Sequence, residues 1–330
     1  MVQARQGIRI GLALLIGSLS PFLTLQMLVP QAQAQGVPPS GLPTPTPQST
    51  QTIPAPSSPS TQPAPVSNPA ADALALGLQY IQQGQIDQAI LAFRQATSLN
   101  PAFSPAYYNL GLALRQQGHL QEAATAFYQA IQTDPNFAMS YANLGAALLE
   151  GGNLSQAEDY LNRAIELDPN MALAHYNLGL VRRQQGKIQE AMIDFRKAMN
   201  LSTNAAEPAY HLGLLYLQQG QTTEAMELFQ KAVSINPSYS EAHYSLGTLW
   251  YQRGNLAEAL NSFRRSAESN PNYPNAYYGA GLVFLQQGQP TDAQQVLQYA
   301  RDLFIAQQNP QWANSATQLL QQAQSLNVPR

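Results

Sequence analysis

The chain has 330 residues and no cysteine, which excludes disulfides, thiolate chemistry and cysteine-ligated metal sites. Sixteen basic residues against nineteen acidic ones give a formal net charge of −3, and no basic stripe is present, so nucleic acid is not an expected partner. Charged residues make up only 11% of the chain, well under the usual quarter, and Gln and Asn supply the polarity instead.

Residues 1–34 read as an export signal. Arg5 and Arg9 precede an apolar run from Ile10 to Val29 that contains no acidic residue. Ala32-Gln33-Ala34 then places small residues where a signal peptidase reads, so cleavage is expected before Gln35, taking the formal charge from −3 to −5 with the loss of Arg5 and Arg9. The other reading is an uncleaved N-terminal anchor. The run is long enough to span, although Gly17, Ser18, Ser20, Pro21 and Gln26 weaken it. No cysteine follows, so lipid anchoring is excluded. Both readings put the rest of the chain outside the cytoplasm, in a periplasm or another extracytoplasmic compartment (a thylakoid lumen if the source is cyanobacterial). Membrane contact is expected only if the segment stays uncleaved.

Residues 35–69 are Pro, Ser, Thr and Gln with very few large apolar side chains. Such a segment cannot bury enough surface to fold by itself and reads as a linker with polyproline II bias.

From residue 70 a period of 34 governs the chain. With units starting at 70, 104, 138, 172, 206, 240 and 274, position 8 reads Gly77, Gly111, Gly145, Gly179, Gly213, Gly247 and Gly281. Position 15 is glycine in all seven units, from Gly84 to Gly288, and position 20 is alanine in all seven, from Ala89 to Ala293. Position 24 is Phe93, Phe127, Leu161, Phe195, Phe229, Phe263 and Leu297. Position 27 is alanine except at Ser266, and position 32 is proline except at Thr203 and Ile305.

Positions 4, 7, 8 and 11 share one face of a first helix, and positions 20, 24 and 27 share one face of a second. Small residues at 8 and 20 let the two backbones approach, and glycine at 15 ends the first helix in a left-handed conformation. Proline at 32 stands after the second helix, where an amide hydrogen is not needed. Each unit is therefore helix, tight turn, helix, short turn. Arg182 interrupts the core column at position 11, and its stem is expected on the core with the head in solvent. The joint from Asn200 to Pro208 is expected to be the loosest.

These columns resemble the tetratricopeptide repeat family over residues 70–307. The resemblance implies an all-α fold, a right-handed α-solenoid of antiparallel helix pairs. Beyond it, residues 308–330 read as a C-terminal capping helix and tail, with Trp312, Ala316, Leu319, Leu320 and Ala323 on one face of a helix over 311–326.

Nothing in the chain reads as catalytic. The four histidines, His119, His175, His211 and His243, fall in packing columns or turns and have no carboxylate pair with them. No phosphate loop or nucleophile elbow occurs. The expectation is a non-enzyme without cofactor or metal.

In the family that the columns resemble, the first helices line the concave inner face, with positions 2, 5, 6, 9, 12 and 13 pointing into it. Position 6 carries Asn109, Asn143 and Asn177 in register. An amide offers both donor and acceptor to an extended backbone, and the arrangement is similar to the asparagine ladder of the O-linked N-acetylglucosamine transferases. Asn-Leu-Gly is equally an ordinary filling of this column. Position 5 carries Tyr108, Tyr176, Tyr210, Tyr244 and Tyr278, which supply half-exposed aromatic area to a groove or pack on the neighbouring helix. Arg115 and Arg183 are the groove cations, against Glu150, Glu207 and Glu241. Positions 5, 9 and 13 carry no Lys or Arg, unlike the repeats that clamp a terminal carboxylate, so a neutral or apolar peptide is expected.

The reading that follows is a protein–protein interaction scaffold that binds an extended peptide or partner protein in the concave groove outside the cytoplasm. The alternative is an assembly or structural factor of an envelope machine, of the pilus or secretion type, that uses its convex face.

Overall fold

The computed structural model describes residues 68–326. The expected signal segment, and the linker up to residue 67, lie outside the described residues. Among the described residues there are fifteen helices and no strand. They are α1 (Pro69–Gln82), α2 (Ile86–Leu99), α3 (Ser104–Gln116), α4 (Leu120–Thr133), α5 (Ala138–Glu150), α6 (Leu154–Leu167), α7 (Ala172–Gln184), α8 (Ile188–Leu201), α9 (Glu207–Gln218), α10 (Thr222–Ile235), α11 (Ser240–Gln252), α12 (Leu256–Ser269), α13 (Pro274–Gln287), α14 (Pro290–Ala306) and α15 (Pro310–Leu326). None of them is long and apolar enough to cross a membrane. The helices form two compact units, residues 68–185 with α1–α7 and residues 186–326 with α8–α15.

The turn inside each repeat follows from its glycine. Gly84, Gly118, Gly152, Gly186, Gly220, Gly254 and Gly288 all have φ between +72° and +80°, a region where only glycine carries no steric cost. The amide of Gln85 then donates to Tyr80 O at 2.9 Å and that of Gly84 to Ile81 O at 3.0 Å. This paired closure satisfies two carbonyls that the end of α1 would otherwise leave open. It recurs at His119 to Leu114, Asn153 to Leu148, Gln221 to Tyr216 and Asn255 to Trp250.

The glycines at position 8 serve another purpose. A Cβ on Gly111 would stand 2.6 Å from the Phe127 ring, and one on Gly145 would stand 2.5 Å from Leu161. The missing side chain is the space that the position-24 residue fills. Phe93, Phe127, Phe195 and Phe229 are completely buried as a result.

The turn between repeats has a second anchor, which the period alone did not single out. Position 31 is Asn100, Asp134, Asp168, Asn236 and Asn270, and each side chain accepts the amide two residues on at 3.0–3.1 Å. Such local bonds hold the chain in a turn and compete with helix. Ser202 takes this place in the fourth repeat and donates to the Asn204 side chain at 2.9 Å instead. There α9 starts at position 2, whereas α3, α5, α7, α11 and α13 start at position 1, and a buried Ala206 precedes it.

At the C-terminal end, α15 buries Ala313, Ala316, Leu319, Leu320 and Ala323 against Leu285, Leu297, Ala300 and Phe304. At the other end, Leu76 is 41% exposed, whereas the residues equivalent to it in the six later repeats are no more than 8% exposed. No helix precedes α1 among the described residues to cover it.

Candidate interaction face

In the unit formed by residues 68–185, the first helices carry a linked polar cluster. Arg115 on α3 donates from Nε and Nη2 to the Glu150 carboxylate at the end of α5, at 3.0 and 2.6 Å. Its Nη1 donates to the side-chain oxygen of Asn143 at 3.3 Å. Asn143 in turn donates from Nδ2 to Met139 O at 3.0 Å and to the Tyr108 hydroxyl at 3.4 Å. Burial raises the pKa of the Tyr108 phenol, while the bond from Asn143 and the charge of Arg115 oppose that rise.

The asparagine column therefore differs from a free amide ladder. Asn109 donates to Pro105 O at 2.8 Å, the same backward bond to the carbonyl four residues earlier that Asn143 makes. Asparagine inside a helix commonly spends its amide this way. Asn143 and Asn177 are only 4% and 6% exposed. Position 6 is also close to the preceding second helix. His211 stacks on Phe195 with centroids 5.5 Å apart, and a Cβ on Gly279 would meet Phe263 at 2.5 Å.

The tyrosines divide by burial. Tyr108 and Tyr176 in the first unit are half-buried, as is Tyr278 in the second. Tyr210 and Tyr244 are 7% and 5% exposed, so the expected half-exposed groove aromatics are core residues at these two places. An aromatic column at position 34 packs on this row. Tyr210 packs on Tyr239 at 4.9 Å, Tyr244 meets Tyr273 edge-on at 5.5 Å, and Tyr108 packs on Phe137 at 5.0 Å. Each tyrosine also reaches the position-24 phenylalanine of its own repeat, at 6.0 Å for Phe127, 5.7 Å for Phe229 and 5.8 Å for Phe263. Burial drives the Tyr244 phenol far above its ordinary pKa and pushes Tyr278 up to about 12. Tyr278 rests edge-on against Trp312 of α15 at 5.4 Å.

Arg183 is half-buried on α7. Arg182 departs from its expected snorkelling, because its Nε donates to Glu158 Oε1 on α6 at 3.3 Å and Gln185 donates to the other oxygen at 3.0 Å. With side chains 19% and 17% exposed, the charge at position 11 is answered by the preceding repeat rather than carried to water.

A further difference lies in position 2, which holds Ala71, Pro105, Met139 and Leu173 in the first unit but Glu207, Glu241 and Asn275 in the second. The first-helix face of residues 68–185 is thus apolar along this row. On α5, Ala142 and Ala146 are 0% and 2% exposed. The flanking helices carry the bulkier, half-buried Tyr108 and Leu112 on α3 and Tyr176 and Leu180 on α7. The small residues of the middle helix are thus covered, and the larger half-buried ones on both neighbours form the accessible part of this face.

The histidines hold turns and cores. His243 and His175 face Pro237 O and Pro169 O at 2.9 and 3.1 Å. Among the described residues no group of three or more His, Asp or Glu side chains is placed to hold a metal ion.

Stacked antiparallel helix pairs, closed by glycine turns at a 34-residue spacing and joined by tight inter-repeat turns, define an all-α solenoid built of interaction repeats. A family model described as the cilia and flagella-associated protein 70 C-terminal domain, of tetratricopeptide repeat type, matches residues 55–276, and a tetratricopeptide repeat model matches residues 244–311. The chain belongs to the tetratricopeptide repeat family.

Solved structures share the fold. PilF of Pseudomonas aeruginosa is 21% identical over 63% of this chain and 94% of its own, with a TM-score of 0.56. A tetratricopeptide repeat protein of Parabacteroides merdae is 19% identical over 77% of this chain and 98% of its own, with a TM-score of 0.55. The Cut9–Hcn1 assembly of the APC/C matches 77% of this chain and 53% of its own, at 17% identity and a TM-score of 0.59. No curated protein matches the chain.

Proposed function

We propose that this protein is a non-enzymatic scaffold outside the cytoplasm, and that the first-helix face of residues 68–185 binds an extended, uncharged peptide or partner segment. The half-buried Tyr108, Leu112, Tyr176 and Leu180, with Leu173 42% exposed beside them, carry this reading. They offer tyrosine and leucine for side chains, and the main cation of the face, Arg115, is already bound by Glu150. Tetratricopeptide repeats serve as protein-interaction scaffolds, and a shallow apolar face engages an extended chain through several weak contacts at once. The export reading rests on the apolar run that begins at Ile10 and the Ala32-Gln33-Ala34 site. N-terminal sequencing of the protein from its native host should begin at Gln35, and an intact Met1 would overturn cleavage.

The second reading, docking through the second helices, is favoured by one observation. Leu91 on α2 and Ile193 on α8 are 67% and 61% exposed, apolar area on second helices that a partner would cover. A photo-crosslinking residue such as p-benzoylphenylalanine decides between the two. Placed at Tyr176 it should capture a partner and placed at Ile193 it should not; the reverse pattern rejects the first-helix face.

A further inference from the structure

The first helices of residues 186–326 are short of positive charge. Together, α9, α11, α13 and the terminal α15 hold Glu207 and Glu241 and no Lys or Arg. In the other unit, α3 and α7 carry Arg115, Arg182 and Arg183. Glu207 and Glu241 both stand at position 2 of their repeats, on successive first helices, and both are half-buried. Neither takes part in an ion pair among the described residues. Carboxylates without a counter-charge and partly withdrawn from water attract a cation more strongly than fully solvated ones, because solvent and salt screen them less.

A second observation lies beside Glu241. The hydroxyl of Tyr273, just before α13, is buried without a hydrogen-bond partner, and the residue is only 8% exposed. Burial holds this phenol's pKa well above its ordinary value. The phenols of Tyr210 and Tyr244 and the charge of Glu241 raise it further, while the side chain of Asn275 opposes the rise. The hydroxyl is therefore within electrostatic reach of Glu241. Buried polar groups are nearly always bonded, and one that is not gains from a donor brought next to it. An ammonium brings three donors, enough for a carboxylate and a phenol together.

The rest of the face suits the stem of a lysine. Tyr278 is half-buried and rests edge-on against Trp312 at 5.4 Å, with the half-buried Tyr251 nearby. Aromatic rings draw ammonium groups to their faces, and a methylene stem packs along apolar surface.

Spacing narrows the occupant. Position 2 recurs once per repeat, and neighbouring helices lie roughly 10 Å apart. In polyproline II, residues three apart share a face and are separated by about 9 Å. A Lys-x-x-Lys segment in that conformation brings one ammonium to each carboxylate. Asn275 continues the row in the next repeat without charge, so the face calls for two cations and not three.

We propose that the first-helix face of residues 186–326 docks a basic segment of a partner protein, with one lysine seated at Glu207 and a second, three residues away, at Glu241 beside the Tyr273 hydroxyl. This goes beyond the uncharged-segment reading of residues 68–185 and depends on none of its residues.

The test uses the full chain and a fluorescein-labelled peptide, Pro-Lys-Pro-Pro-Lys-Pro, followed by anisotropy at low ionic strength. The parent should bind it saturably. Glu207→Gln and Glu241→Gln, which keep the shape of the side chain, should each weaken binding by about fivefold or more. Glu227→Gln removes the same charge from an exposed place on α10 and should change binding by less than about twofold. A peptide with its two lysines adjacent should bind about threefold more weakly or worse. Tyr273→Phe should weaken binding without lowering the urea midpoint, since the hydroxyl makes no bond in the free protein. No binding by the parent overturns the proposal, and so does an equal loss in Glu227→Gln, which would show attraction to net charge alone. Equal affinity for the adjacent-lysine peptide overturns the seating of one lysine at each carboxylate. Unaltered binding by Tyr273→Phe overturns the part given to the hydroxyl.

Discussion

Arg115 on α3 and Glu150 on α5 are joined across two successive repeats by a contact of 2.6 Å, and the same guanidinium holds the side chain of Asn143. The pair ties neighbouring first helices together on the face proposed to bind peptide. It also explains why Asn143 presents no free acceptor there.

Breaking this pair should cost little stability. The two side chains are 31% and 28% exposed, and pairs that water reaches contribute typically under about 1 kcal/mol. Glu150→Gln should therefore shift the urea midpoint only slightly. Its larger effect should be on selectivity, because Arg115 becomes available. An acidic peptide such as hexaglutamate should bind the variant more tightly than the parent in titration calorimetry, and equal affinities would reject this account of the charge balance.

Gly111→Ala should destabilise the fold, although alanine is the better helix former by roughly 0.5–1 kcal/mol. The added Cβ would stand 2.6 Å from Phe127, and overpacking of a close-packed core costs about 1–3 kcal/mol, so the clash wins. Phe127→Leu should recover part of the loss in a double-mutant cycle. Gly118→Ala meets no atom within 4 Å but has φ of +80°, so its cost of about 1–2 kcal/mol should show no coupling to Phe127.

His243 should make the protein weaker in mild acid. Burial lowers its pKa and the nearby Arg265 lowers it further, against the opposing bond to Pro237 O. The folded state thus binds a proton less readily than the unfolded chain, whose histidine titrates near 6.5. Stability from this group is complete above that value and falls as pH drops through it. Urea midpoints at pH 7.5 and 5.5 should differ more in the parent than in His243→Tyr, which places at position 4 the residue found at Tyr107, Tyr141 and Tyr277.

Tyr244 should have the opposite dependence at high pH. Its buried phenol holds its proton far above the ordinary tyrosine value, whereas the unfolded chain releases it near 10. The stability it contributes is therefore complete below about pH 10 and is lost above it. Tyr244→Phe should raise the melting temperature relative to the parent at pH 11. An unchanged difference between pH 8 and 11 would mean that the ring is not buried in solution.

The two glycine columns were readable from the sequence because each answers a local demand. Position 15 must tolerate positive φ, and position 8 must admit the ring at position 24, so both recur at the period of the repeat. The aromatic column of Phe137, Tyr239 and Tyr273 was harder to see, since position 34 stands beyond the second helix and its partner lies 29 residues back, at position 5. The Asx turns at position 31 were visible as a run of Asn and Asp, but their role became plain only with the bonds that they make.

What the sequence determined by itself is the repeat, its helix pairs and its family, because periodicity and turn chemistry act within one unit. Which side chains face outward was decided by tertiary structure. Position 5 is half-buried at Tyr108 and Tyr176 and buried at Tyr210 and Tyr244, although the residue type is the same. Exposure depends on how the neighbouring turn and helix pack alongside, and a residue's column cannot carry that information.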